Sequence, residues 1–354
     1  MMRRLVLRAH LIVASIAGVF LVLLGLTGSV MAFEPELWHV LHPTLSYVRP
    51  VGPALPLVTL AHAAERAVPG VAVNGFALSV SPDLSYQVQM RGRVAYVNQY
   101  TGDVLGVVPS GPDFLSRIHQ LHLRLLWRDE RDRGKTIVSW AGVALLLLIA
   151  SGLYLWWPLK RLRIRRDGTT YQTWFDLHNL TGISSFVFLT LLAVTGVFIG
   201  FDDKVVPVAY RLTGTQPALV YGQSPLPRST PAGRSMITAD EAVAVARAAL
   251  PGATPISVNV PASTGVYTVA ARYPEDLTPG GRSRVVIDPY DGRVLAAEGS
   301  RTAPAGTRLV TLNRAIHTGD VFGVASKVVM SLASLLVVAQ AVSGLAIWWT
   351  RRSN

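Results

Sequence analysis

The sequence predicts a membrane protein of four transmembrane α-helices with two outer α+β domains, built from one helix–domain–helix unit used twice. Three observations predict this: four long apolar runs, basic residues gathered in alternate connections, and a histidine spacing that occurs twice. Half of the 354 residues are apolar and the mean hydropathy is +0.38, high for a soluble globule.

The apolar runs cover roughly 11–33, 137–157, 183–201 and 321–349. Each is long enough, at 1.5 Å per residue, to cross a hydrocarbon core of about 30 Å as a helix. Arg3, Arg4 and Arg8 precede the first run, and Lys160, Arg161, Arg163, Arg165 and Arg166 fill the short loop between the second and third. Arg351 and Arg352 follow the fourth. The positive-inside rule places all three segments, and so both termini, on the cytoplasmic side. The two long connections then face outward, into the periplasm of a Gram-negative cell, and the expected location is the bacterial inner membrane. The first run exceeds the apolar core of a signal peptide and has a histidine near its start, so an uncleaved span is expected. Much of the +12 net charge lies in the cytoplasmic segments, where it orients the chain; it implies no nucleic-acid role. There is no cysteine, which excludes disulfides, thiolate-held metals and iron–sulfur clusters.

The repeat is measured from two histidines. His10 precedes Thr27-Gly28 by the same interval at which His178 precedes Thr195-Gly196. Phe33-Glu34 and Phe201-Asp202 close the two helices alike, and the second and fourth helices end as "SGLYLWWPLKR" and "SGLAIWWTRR". In the outer segments "RAVPGV" matches "AALPGA", and "VNQYTGDVLG" matches "IDPYDGRVLA". "TLAHAAERAVPG" and "TADEAVAVARAALPG" have helical apolar spacing with a Pro-Gly stop, and "SYQVQM", "VAYVNQ", "VYTVAARY" and "RVVIDP" alternate as strands. Gly102 and Gly292 fit tight turns between strands, and 211–235 and 274–282 read as loops. The expected boundaries are a first helix at 1–33 and a first outer domain at 34–120. A pre-helix and second helix at 121–158, a basic loop at 159–173 and a third helix at 174–201 follow. A second outer domain at 202–312 precedes the fourth helix and basic C-terminus at 313–354.

The repeat also sorts the eight histidines. His10 matches His178 on the cytoplasmic side. His122 in "IHQLHLRLL" matches His317 in "NRAIHTGDVFG", each before a helix on the outer side. A single histidine in such a place reads as a headgroup anchor or a capped helix end. Four in matched pairs, two at each membrane face, read as two bis-histidine haem sites, because neutral imidazole is an axial ligand of haem iron. One haem in each leaflet would divide the bilayer into two shorter electron steps. Gly18, Gly25, Gly28, Gly142, Gly152, Gly182, Gly196 and Gly344 would admit either a flat macrocycle or a neighbouring helix. His39, His42 and His119 are alternatives to His122 as the outer ligand, and His62 lies in an outer-domain helix. Arg124 and Arg314, beside the outer ligands, are candidates either for attracting an anionic chelate or for salt bridging. No HExxH motif, P-loop or GxGxxG after a strand is present, which leaves no zinc-protease or nucleotide site.

The segments "RAHLIVASIAGVFLVLLGLTGSVMAFEPELW", "LHLRLL", "GLYLWWPLKR", "FDLHNLTG", "IHTGDVFG" and "SGLAIWWTRR" resemble the PepSY-associated transmembrane family over essentially the whole chain. The first histidine is followed by "LIV" where that family usually carries "RW". The resemblance implies PepSY-like outer domains and a haem b protein with His10, His122, His178 and His317 at the axial-ligand positions, two haems in all. It implies a FoxB-type activity, in which electrons pass outward to reduce ferric iron held by a siderophore. With no nucleotide fold and no cysteine, the donor is expected to be a partner, either a flavin reductase or quinol. Two other functions fit the same resemblance: a membrane-anchored binding or regulatory module, and an accessory subunit of iron uptake.

Overall fold

The computed structural model describes residues 1–160, 162–165, 167–216, 226–227, 229, 235–261 and 265–351. Arg161, Arg166, Arg352 and most of the expected loop at 211–235 lie outside the described residues. In chain order the helices are α1 (Met2–Met31), α2 (Glu34–Leu41), α3 (Pro43–Ser46), α4 (Leu57–Ala67), α5 (Phe114–Arg124), α6 (Arg133–Trp156), α7 (Thr170–Gly200), α8 (Asp202–Thr213), α9 (Ala239–Ala249), α10 (Ala305–Thr318) and α11 (Val324–Thr350). The strands are β1 (Val73–Ala77), β2 (Tyr86–Met90), β3 (Arg93–Val97) and β4 (Val104–Pro109), then β5 (Thr254–Asn259), β6 (Tyr267–Arg272), β7 (Ser283–Ile287) and β8 (Val294–Glu298). The chain forms two compact units, one of residues 1–34, 113–206 and 312–354, the other of 35–112 and 207–311.

In the first unit α1, α6, α7 and α11 are, among the described residues, the helices long and apolar enough to cross a membrane. They form a ring in which α1 and α7 each pack against both α6 and α11. Its interior is closed by Ala17, Leu21, Ala141, Leu189 and Val337, with Phe20, Leu24, Leu145 and Leu192 packed around them. Ile16, Val19, Trp140, Val187, Leu332 and Leu345 are exposed, as an apolar outer face in lipid requires. The third helix starts earlier than its apolar run, because Thr169 and Gln172 form a capping box at its N-terminus. Near that end, the buried Asp176 carboxylate accepts three hydrogen bonds from Arg165, from Nε at 2.8 Å, Nη2 at 3.0 Å and the backbone N–H at 3.1 Å. The Arg165 part of the basic loop is thereby fixed to α7.

The second unit holds one antiparallel sheet of order β4-β3-β2-β1-β5-β6-β7-β8. The two outer segments, expected as separate domains, are joined here: β1 pairs with β5 through Gly75↔Asn259, Phe76↔Val258 and Ala77↔Ser257. Each four-stranded half would otherwise leave a bare edge with unpaired backbone groups. Gly75 is needed at this seam, since a Cβ there would stand 3.0 Å from the Val258 carbonyl oxygen. A single core, including Leu60, Val88, Val97, Ala242, Val258, Val269, Val285 and Ile287, lies beneath α4 and α9. The two halves are also linked through Asp240 of α9, whose carboxylate accepts the Leu57 and Val58 N–H groups at 2.7 and 3.0 Å and so caps α4. The expected turns are present, with φ of 80° at Gly102 and 72° at Gly292. Each is held the same way: Tyr100 N–H donates to Asn98 Oδ1 at 2.9 Å, and Tyr290 N–H donates to Asp288 Oδ1 at 2.8 Å.

Candidate functional site

His122 lies in the last turn of α5, whose N-terminus is capped by Asp113 accepting the Ser116 N–H at 2.6 Å. The helix stops at Leu125 and Leu126, both left-handed with φ of 54° and 57°, and the chain reverses into α6. Bulky residues adopt this conformation at a cost. Here the Arg124–Asp132 ion pair closes the turn, and Gly134 gives the Arg124 carbonyl room against α6. His317 has the matching position in the last turn of α10, before Gly319 at φ +76°. Asn313 Nδ2 fixes α10 to α7 by donating to the Thr195 carbonyl at 3.2 Å.

The His122 and His317 rings face one another, with centroids 6.5 Å apart and planes inclined at 53°. Each is backed by a hydroxyl from a spanning helix: His122 Nδ1 lies 2.9 Å from Thr27 Oγ1 of α1, and His317 Nδ1 lies 3.0 Å from Thr195 Oγ1 of α7. Burial pushes the His122 imidazole down to about 3, helped by the nearby His317 and His119, and burial pushes His317 down to about 4. Both rings are therefore neutral at physiological pH, the state in which imidazole binds metal.

The other two histidines repeat the pattern with the roles of the helices exchanged. His10 of α1 places Nδ1 2.8 Å from Ser151 Oγ of α6, and His178 of α7 places Nδ1 3.0 Å from Ser343 Oγ of α11. His10 and His178 lie within electrostatic reach of each other. Gln340 Nε2 donates to the His178 carbonyl at 3.0 Å. Ser343 also borders a cavity of about 410 Å³ lined by Trp174, Leu177, Thr181, Val338 and Val342. The helix is continuous from His10 to Thr27 in α1 and from His178 to Thr195 in α7. At 1.5 Å per residue this sets the two histidine layers about 25 Å apart.

Three of the remaining histidines have other partners. His119 Nδ1 pairs with Glu34 Oε2 at 2.7 Å. His42 stacks on Trp38 at 3.9 Å, and His39 meets Tyr47 edge-on at 6.1 Å. His62 lies on α4. Of the expected ligands and their alternatives, it is His122 that the structure sets opposite His317. No group of three or more His, Asp or Glu side chains arranged to hold a metal ion occurs among the described residues.

The facing pair fits a metal between its rings. With a metal–nitrogen bond of about 2 Å, two imidazoles sharing one ion have centroids at most about 6.3 Å apart, close to the separation seen here. The expected role of the helix glycines changes in detail at four of them. A Cβ at Gly28 would stand 3.1 Å from His122 Cε1, and one at Gly196 would stand 3.0 Å from His317 Cε1. At Gly152 and Gly344 the same test gives 3.6 Å to His10 Cε1 and 3.5 Å to His178 Cε1. Each histidine thus rests on a hydroxyl–glycine dipeptide of a neighbouring helix. The Thr-Gly pairs are visible in the sequence as the ends of a fixed interval and the Ser-Gly pairs as matched helix ends, but neither marks the hydroxyls as histidine partners.

A bundle of four spanning helices joined to an antiparallel sheet, with paired histidines in two layers, defines a multi-pass membrane protein with a candidate metal-cofactor site. The chain belongs to the family described as PepSY-associated TM region, whose model matches residues 7–351. No curated protein matches it.

Proposed function

We propose that this chain is a di-haem b oxidoreductase of the bacterial inner membrane that reduces ferric siderophores on the periplasmic side. His122 and His317 would hold one haem and His10 and His178 the other. The observation that carries the reading is the facing His122–His317 pair at 6.5 Å, with its hydroxyl-backed counterpart one layer away. The mirrored strand order and the matched Asn98 and Asp288 turns support a duplicated helix–PepSY–helix unit. The arginines at 3, 4 and 8 and the described basic residues Lys160, Arg163 and Arg165 support cytoplasmic termini and a periplasmic sheet unit.

Haem, when bound, supplies reversible one-electron chemistry in each layer. The chain's own groups do the rest. His10 and His178 would hold one iron and His122 and His317 the other, each through a neutral imidazole. Ala17, Leu21, Leu189 and Val337 fill the bundle between the layers and exclude water there. The reaction takes one electron per ferric ion; a quinol releases two electrons and two protons on becoming a quinone, and a reduced flavin serves equally. The lower charge of the ferrous product weakens its attraction to anionic chelator oxygens and frees the metal.

The test is an anaerobic half-reaction. Chemically reduced protein mixed with ferric hydroxamate, catecholate and citrate complexes should reoxidise while a ferrous-iron trap develops colour. Protein that stays reduced with every complex would refute the substrate assignment.

A further inference from the structure

We propose that Thr27, Ser151, Thr195 and Ser343 are positioning residues that fix all four histidines in the Nδ1–H tautomer, leaving Nε2 of each as its iron-binding atom; this deepens the haem reading and rests on it. The argument is a proton count. Each hydroxyl has one proton, and each is already placed on a carbonyl of its own helix. Thr27 Oγ1 donates to Leu23 O at 2.7 Å, Ser151 Oγ to Leu147 O at 2.6 Å, Thr195 Oγ1 to Leu191 O at 2.6 Å and Ser343 Oγ to Ala339 O at 2.6 Å. With its proton so placed, a hydroxyl can only accept from the imidazole. Nδ1 must therefore be the protonated nitrogen in all four rings, at separations of 2.8 to 3.0 Å.

In every case the hydroxyl comes from a helix other than the histidine's own, so each ring is held from across the bundle. The glycine after each hydroxyl keeps the ring edge close enough to use it.

This choice of partner also has an electronic consequence. A carboxylate behind a ligating histidine raises its basicity, and outer partners of this kind change metal affinity by about 10- to 100-fold. A neutral hydroxyl that is already donating is a weaker acceptor, which leaves the imidazole less electron-rich and favours the ferrous state. Both layers use this weaker partner, so neither iron would be held strongly ferric.

The experiment has two arms on the full chain. In haem-free protein with ¹⁵N-labelled histidine, His10, His122, His178 and His317, each assigned by its own His→Gln variant, should be neutral Nδ1–H tautomers, apart from the Nδ1–H that His42 and His119 present to Trp38 O and Glu34. Thr195→Val and Ser343→Ala should each release one of them to mixed tautomers, whereas Thr195→Ser should keep its own. In haem-loaded protein, replacing Thr195 by Asp should strengthen ferric over ferrous binding about tenfold, a lowering of about 59 mV for a one-electron couple. Only one of the two haem midpoints should move. Nε2–H tautomers at these positions, or midpoints unchanged in Thr195→Asp with haem bound, would overturn the inference. Absence of haem with the Nδ1–H tautomers intact would instead overturn the haem reading alone.

Discussion

Exchanging glycine for alanine behind the histidines should separate the two layers. At Gly196 an added Cβ would stand 3.0 Å from His317 Cε1, and at Gly344 it would stand 3.5 Å from His178 Cε1. Carbon atoms pack at about 3.5–4.0 Å, so His317 must retreat by about 0.5 Å while His178 stays in ordinary contact. His317 cannot retreat freely, because it is held by the Thr195 hydroxyl at 3.0 Å and its helix by Asn313. Overpacking of this kind costs about 1–3 kcal/mol, enough to lower occupancy of the ring's present position by about fivefold to somewhat over a hundredfold. Both substitutions gain the same helix propensity, about 1 kcal/mol, so their difference isolates the ring contact. Haem content and redox titration of the purified variants read the result. Gly196→Ala should weaken or lose one haem with the other unchanged, and Gly344→Ala should keep both. Equal behaviour of the two, or loss only in Gly344→Ala, would refute the contact argument.

His119→Ala should retain both haems and His122→Ala should lose one, because His119 is occupied by Glu34 whereas His122 faces His317; the reverse result in haem content would identify the wrong ligand. Arg165→Ala removes the two guanidinium hydrogen bonds to the buried Asp176 carboxylate and should lower the unfolding midpoint; an unchanged midpoint would show that the pair is dispensable. The Ser229 hydroxyl, donating at 2.6 Å, and the backbone N–H groups beyond it hold the Asp288 carboxyl below the usual carboxylate range. Its contribution is therefore complete above the unfolded value of about 3.9 and is lost as pH falls through the depressed folded value. Asp288→Asn, which copies the Asn98 turn, should flatten that part of the melting-temperature profile; an identical acid slope would assign the loss to other groups.

Much of this site was legible because membrane helices leave few choices. Backbone groups must be satisfied within the helix, so an apolar run of sufficient length fixes the element. The interval from His10 and from His178 to the Thr-Gly pair that follows then fixes the layer spacing through the helical rise. The candidate ligand histidines could be sorted by the repeat because His122 and His317 each lie in the last turn of a helix that precedes a spanning helix. What sequence left open was decided by side-chain direction. His119 and His122 lie on one helix a turn apart, and only packing shows that one meets Glu34 and the other His317. Strand pairing between β1 and β5 was also invisible, since those strands lie in opposite halves of the chain and either edge could have been left free. The Thr-Gly and Ser-Gly pairs were visible as text, but a serine in an apolar run ordinarily satisfies itself on the carbonyl four residues back. Only the distances show that these four hydroxyls do so while also lying 2.8 to 3.0 Å from a histidine Nδ1.

The most direct test of the central claim is a haem count. Full-length protein purified from haem-replete cells should give a pyridine haemochrome value close to two b-type haems per chain. It should fall to about one in His317→Ala and, independently, in His178→Ala. A colourless wild-type protein, or a haem content unchanged by both substitutions, would contradict the account.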